Sequence, residues 1–189
     1  IISRANEGDY LFIQFGHNDR PITRPVQRTD PDSTEQNETS YRYNLKQFVK
    51  IARENDMIPV FITSINERNF EGNTDTLAAD GIEPYRNAIR EVGSECGVPV
   101  LDIAPAHKAL VEHWGNEGSK QLYLHFTKTE YPNYPATLPD NTHISKTGAN
   151  EVAKLVASAI KEGAKTNTDL ERLAKKLDSS KSLAPTEPN

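Results

Sequence analysis

The sequence predicts an α/β fold in which a parallel sheet is covered by helices on both faces. Short, nearly continuous apolar runs recur at Tyr10–Phe15, Ile58–Thr63 and Val98–Ile103, as in strands buried on both sides. Segments with apolar residues at helical spacing lie between and after them. Strand and helix patterns therefore alternate along the chain, as a sheet with helical crossovers requires.

Each element has its own signal. Tyr10–Phe15 follows the turn-like pair Gly8-Asp9 and stops at Gly16. Arg20–Thr39, rich in Pro, Asp, Thr and Gln, reads as a loop, and long loops in compact domains are often functional. Leu45, Phe48, Val49 and Ala52 recur at i, i+3, i+4 and i+7, which predicts an amphipathic helix over Ser40–Glu54. The strand Ile58–Thr63 leads into a second loop, Asn66–Gly81. Tyr85, Ala88, Ile89, Val92 and Cys96 again keep helical spacing, with Pro84 suited to a first turn and Gly97 to a stop.

Val98–Ile103 is the third strand. Ala106, Leu110, Val111 and Trp114 predict a helix that ends near Gly115, and Asn116–Pro139 is expected to be mostly loop. The last strong helix runs from Ser145, a suitable cap, to Glu162, with Ala149, Val152, Val156, Ala159 and Ile160 inward. Composition changes after Gly163. One domain is expected over residues 1–163, followed by a polar extension over 164–189, helical across Asp169–Leu177 and then disordered.

The 189 residues suffice for one ordinary domain. Net charge is −5 with the two signs interleaved, and no basic–aromatic stripe suggests a nucleic-acid partner. No apolar run approaches the roughly 20 residues of a membrane helix, so no membrane partner is expected. The lone Cys96 excludes a disulfide within the chain. Neither an initiator Met nor a signal-peptide pattern stands at Ile1, and the true N-terminus is expected to lie upstream. Oligomeric state leaves no mark on the sequence.

Two short motifs carry chemistry. Gly16-His17-Asn18-Asp19 follows the first strand, and active sites of open α/β sheets lie beyond the carboxyl ends of strands. Gly16 permits a sharp turn there, and the Asn18 amide can donate an N–H to a developing oxyanion. Asp140 and His143 stand three apart before the last helix, a spacing at which side chains meet in a turn or a first helical turn. A carboxylate on one ring nitrogen fixes the tautomer and leaves the other as a general base.

Each motif alone has a plainer reading, as a strand-end turn or a helix start. Their joint occurrence on predicted loops at one sheet edge favours a site. His17, Asp19, Asp140 and His143 would also suit a metal ion as a donor set. The other histidines, His107, His113 and His125, are expected on the surface or in loops. Trp114, Tyr123, Tyr131 and Tyr134 read as packing residues ahead of a sugar-lining role, for which Tyr131 and Tyr134 are the better candidates.

With these residues in view, the chain resembles the SGNH (GDSL-type) hydrolases. Phe15–Asp19 (FGHND) is similar to their third conserved block, and Asp140–His143 with Ile144–Ala149 to their fifth. Tyr85–Ile103 and Glu112–Phe126 resemble the rhamnogalacturonan acetylesterase-like branch, and the resemblance spans Gly8 to Gly163. It implies a three-layer α/β/α sandwich on a flavodoxin-like parallel sheet of five strands. It also implies a carbohydrate esterase that deacetylates polysaccharide, pectic rhamnogalacturonan above all, without metal or cofactor.

In that resemblance Asn18 is an oxyanion-hole donor, Asp140 the orienting acid, His143 the base and His17 a substrate contact. Asp19 is expected to be a structural acceptor. An acetylated poly- or oligosaccharide is the implied partner, and a secreted or periplasmic location is implied with it. A small acyl ester as substrate, or a non-catalytic carbohydrate-binding protein of the same fold, are the alternatives.

One part of the pattern has no match. The Gly-Asp-Ser block with the nucleophile belongs upstream of Asn18, where seventeen residues stand and none forms it. Gly8-Asp9-Tyr10 has Tyr in place of serine, and Ser3 is not at a strand-to-turn junction. The glycine of the second block is likewise unmatched. The nucleophile and the first strand are therefore expected outside this chain, which leaves Tyr10–Phe15 with an unpaired edge.

Overall fold

The computed structural model describes residues 4–20, 28–126 and 138–188. They fall into two compact units. The first comprises Ile1–Ser64, Gly81–Ile103 and Ala159–Lys176, and the second Ile65–Asp80, Ala104–Ser158 and Leu177–Asn189.

The first unit holds the parallel sheet. Strands β1 (Tyr10–Ile13), β2 (Ile58–Ile62) and β3 (Val100–Leu101) run in the order β1-β2-β3. Tyr10 pairs with Ile58 and Ile13 with Phe61, and then Phe61 pairs with Val100. β2 is the buried centre, with Val60 and Phe61 fully covered. β1 is an edge among the described strands, and its Phe12 is 42% exposed.

Helix α1 (Tyr41–Glu54) starts where Ser40 Oγ accepts the Tyr43 N–H, and it buries Tyr41, Leu45, Val49 and Ala52. Phe48, assigned to the inward face by periodicity, instead lies half-exposed against Phe15, ring centroids 5.3 Å apart. Helix α2 (Glu83–Cys96) has Pro84 in its first turn and ends at Gly97 in the left-handed conformation, φ 60°. Gly93 lets α2 approach the sheet, since a Cβ there would strike the Val100 side chain. The core joins Ile13, Phe61, Ile82, Tyr85, Ile89 and Val92 with the buried face of α1.

The second unit departs from the sequence expectation. Helix α3 (Ala104–Gly118) breaks at Gly115 (φ 66°, ψ 177°), the predicted stop, and a short second helical stretch follows. Residues 116–139, expected to be mostly loop, contain strand β4 (Tyr123–Phe126), and β5 (Leu138–Ile144) pairs with it antiparallel. β5 carries Pro, Asp and Asn, which strand patterns avoid. The pair is held instead by burial of Leu122 and Tyr123 in a cluster with Leu77, Leu110, Val111 and Trp114. The ladder is irregular: Tyr123 faces Ile144 and His125 faces Pro139.

Helix α4 (Lys146–Gly163) is capped by Ser145, whose Oγ accepts the Gly148 N–H at 3.1 Å. Gly148 is required there, because a Cβ would collide with the Leu122 carbonyl. Helix α5 (Thr168–Ala174) is shorter than the predicted Asp169–Leu177 and starts at Asn167, which caps two backbone N–H groups. Residues 178–188, read from composition as a disordered tail, carry specific bonds. Thr186 donates through Oγ1 to Glu151 at 2.6 Å, and its carbonyl accepts the Trp114 indole N–H at 2.9 Å. Low hydrophobicity did not announce this attachment because hydrogen bonds supply it. Among the described residues no helix is long and apolar enough to cross a membrane.

Candidate active site

The first motif lies at the end of β1 in the first unit. Gly16 has φ 124°, which only glycine adopts readily, and an added Cβ would stand 3.1 Å from Tyr85 Cβ. The carbonyl of Phe15 accepts hydroxyl protons from Ser64 at 2.6 Å and Tyr41 at 3.0 Å. Burial first, then the Asp19 carboxylate and the Tyr85 phenol, push the Tyr41 hydroxyl far above the usual phenol range. It therefore stays a neutral donor, and the strand end is fixed.

His17–Asp19 then form one 3-10 turn. Asp19 Oδ1 accepts the Thr29 hydroxyl at 2.7 Å, a structural use of this carboxylate, and its carbonyl accepts the Arg28 N–H. His17 is half-buried, and its carbonyl accepts from Arg20 Nε at 3.3 Å. Asn18 is exposed, and among the described residues its side-chain amide is not engaged in a hydrogen bond.

The second motif lies in β5 in the second unit, in a strand and not at a helix start. The ladder places Asp140–His143 opposite the single residue Leu124, so these four residues bulge from the pairing. The excess chain folds back on itself. Asp140 Oδ1 accepts the N–H groups of Thr142 and His143 at 2.8 and 2.9 Å. Its Oδ2 accepts the His143 Nδ1–H at 2.7 Å. Burial would raise the Asp140 carboxyl, but these three donors outweigh it and hold the group below its usual range. The ionised carboxylate fixes the tautomer of an imidazole that is 73% exposed. Its Nε2 has no partner among the described residues.

Side chains that sequence reasoning missed surround the bulge. Arg68 donates its backbone N–H to the Asn141 carbonyl at 2.8 Å and Nη1 to Asn141 Oδ1 at 3.0 Å. His125 Nε2 lies 2.7 Å from the same Oδ1, which must accept from both. Thr142 Oγ1 donates to Glu67 Oε1 at 3.3 Å. Arg68 stands 73 positions from Asn141, and no local motif signals such a pairing.

His107, expected near the surface, is buried; its Nδ1 accepts the Asn66 N–H at 3.2 Å, so a backbone donor satisfies it inside the core. Trp114 and Tyr123 are buried packing residues, whereas Tyr131 and Tyr134 fall outside the described residues. Among the described residues no three His, Cys, Asp or Glu side chains are grouped to hold a metal ion.

The GDSL-like lipase/acylhydrolase family pattern matches residues 2–131. Rhamnogalacturonan acetylesterase RhgT of Bacillus subtilis (strain 168) is 42% identical over 162 residues, 86% of this chain and 65% of that protein. The probable rhamnogalacturonan acetylesterase YesY of the same organism is 32% identical over 162 residues, 86% of this chain and 66% of that protein. The chain thus spans about two thirds of the length of these curated relatives. A crystal structure of protein YXIM from Bacillus subtilis shares the fold, with a TM-score of 0.66 at 16% identity over 87% of this chain and 40% of that one. A parallel α/β core, a strand-end Gly-His-Asn-Asp turn and a match across residues 2–131 converge on one assignment: this chain belongs to the GDSL-like lipase/acylhydrolase family.

Proposed function

We propose that the protein removes acetyl groups from a pectic polysaccharide, rhamnogalacturonan, by serine-based acyl transfer. The observation that carries this reading is the Asp140–His143 pair: a carboxylate bonded to Nδ1 at 2.7 Å, with an exposed ring whose Nε2 is unengaged among the described residues. The two acetylesterase relatives support the substrate class.

His143 Nε2 takes the proton of the serine hydroxyl as its oxygen attacks the acetyl carbonyl carbon. The tetrahedral oxyanion accepts an N–H from Asn18. Collapse breaks the ester C–O bond, and the sugar oxygen leaves with the proton held on His143. Water, deprotonated by the same nitrogen, attacks the acyl-serine; the serine oxygen regains the proton and acetate departs. No Gly-Asp-Ser block precedes Asn18 in these 189 residues.

In the intact protein, His143→Ala and Asp140→Ala are each expected to lower kcat about 10⁴-fold. Acetate released from acetylated rhamnogalacturonan is the measurement. Wild-type rates in either variant would overturn the assignment.

A further inference from the structure

The acid–base pair is gripped through the residue between its members. Asn141 is held at its carbonyl by the Arg68 N–H (2.8 Å) and at its Oδ1 by Arg68 Nη1 (3.0 Å). Arg68 in turn is 6% exposed and fixed on its other sides. Nε donates to Ser119 Oγ at 3.0 Å, Nη2 donates to the carbonyl and the Oδ1 of Asn116, and the guanidinium lies over Phe70, 5.3 Å from the ring centroid. The loop carrying Arg68 is itself anchored. The Asn66 carbonyl accepts the Tyr123 hydroxyl at 2.7 Å, and Asn66 Nδ2 donates to the Ala104 carbonyl at 2.8 Å.

We propose that Arg68 is a positioning residue for the Asp140–His143 pair. The inference rests on the reading of that pair as the acid and base. A bulge four residues long has little ladder pairing to hold it, and an exposed imidazole is free to swing unless its backbone is fixed. Arg68 supplies that fixity at two atoms of Asn141 while its remaining donors are tied to Asn116 and Ser119. A lysine keeps the charge but lacks the planar fork that serves Ser119, Asn141 and Asn116 together.

The test uses the intact protein with Arg68→Lys, Arg68→Gln and Asn141→Ala. Two quantities are read: kcat and KM for acetate release, and the low-field proton resonance of the His143 Nδ1–H bonded to Asp140. A misplacement of about 1 Å costs about 100-fold. Each variant is therefore expected to lower kcat about 10- to 100-fold with KM within about twofold, and to broaden or abolish the resonance. Ser119→Ala, which removes one distant anchor of Arg68, is expected to stay within about threefold of the wild-type kcat.

A variant that folds and keeps both kcat and the resonance overturns the proposal. So does a fall in kcat with an unaltered resonance, which marks a purely structural arginine. Should the Arg68 variants fail to fold, Asn141→Ala decides together with His125→Ala. The first leaves Arg68 its bonds to Asn116 and Ser119; the second removes the other donor to Asn141 Oδ1 and must leave kcat and the resonance intact. A loss there equal to that of Asn141→Ala overturns the proposal. If the wild-type protein releases no acetate, the esterase reading fails, and the His143 resonance still reports whether Arg68 sets the pair.

Discussion

Asp140 does two things with one carboxylate. Oδ1 closes a turn by accepting two backbone N–H groups, and Oδ2 holds His143. The pairing at i and i+3 was legible in the sequence, which allowed a turn or a first helical turn, and the chain takes the turn, within a strand bulge. An Asp-centred turn brings the two side chains together as well as a helix would, because both fold the chain back over the same span. Arg68 and His107 were not legible, since their partners are remote in sequence or belong to the backbone.

The folded Asp140 carboxyl lies below its ordinary value. Its contribution to stability is therefore complete above the unfolded aspartate value of about 3.9 and is lost as pH falls through the lower folded value. Asp140→Asn is expected to cost about 1 kcal/mol at neutral pH, a deficit that shrinks as pH drops below about 4. Denaturant melts of both proteins across pH would check this, and a deficit constant down to acid pH would refute it. Asn18→Ala is expected to reduce kcat about 100- to 1000-fold with little change in KM, the mark of an oxyanion donor. Initial-rate kinetics on the intact protein decide that.

Among elements, β1 to β3, α1, α2 and α4 announce themselves through apolar runs and helical periodicity. β4 and β5 do not, because burial of Leu122 and Tyr123, and not strand propensity, pays for them. The C-terminal segment is the other case. Glu151 is nearly fully buried, and it accepts from Lys154 Nζ at 2.7 Å, the Thr186 N–H at 3.1 Å and the Thr186 hydroxyl at 2.6 Å. Burial would raise its carboxyl, and these donors bring it below the usual range. Thr186→Ala leaves a buried carboxylate short of a donor and is expected to cost about 1–3 kcal/mol. Limited proteolysis after Lys181 should speed up in that variant. Unchanged cleavage and an unchanged Tm would show that the segment is not held through Thr186.

At the scale of the whole molecule, the sheet edge matters most. Phe12, Phe15 and Phe48 are the large apolar side chains exposed among the described residues, and the first two lie on or beside β1. An uncovered apolar edge favours association over independent folding. The 189 residues by themselves are expected to hydrolyse p-nitrophenyl acetate no faster than a His143→Ala control. Robust turnover that the substitution removes would place the nucleophile inside this chain.

The bulge in β5 has a consequence for how such a protein can diversify. Asp140, His143 and the turn that joins them occupy four consecutive residues, so the pair's internal geometry is written into a short, self-contained piece of chain. Neighbouring loops that do not hold this segment can lengthen, shorten or change composition without disturbing that internal geometry. What cannot change freely is the segment's aim, which depends on the grip from outside. A library randomised in the surrounding loops but sparing Glu67 and Arg68 should keep the Asp140–His143 bond far more often than one that includes them.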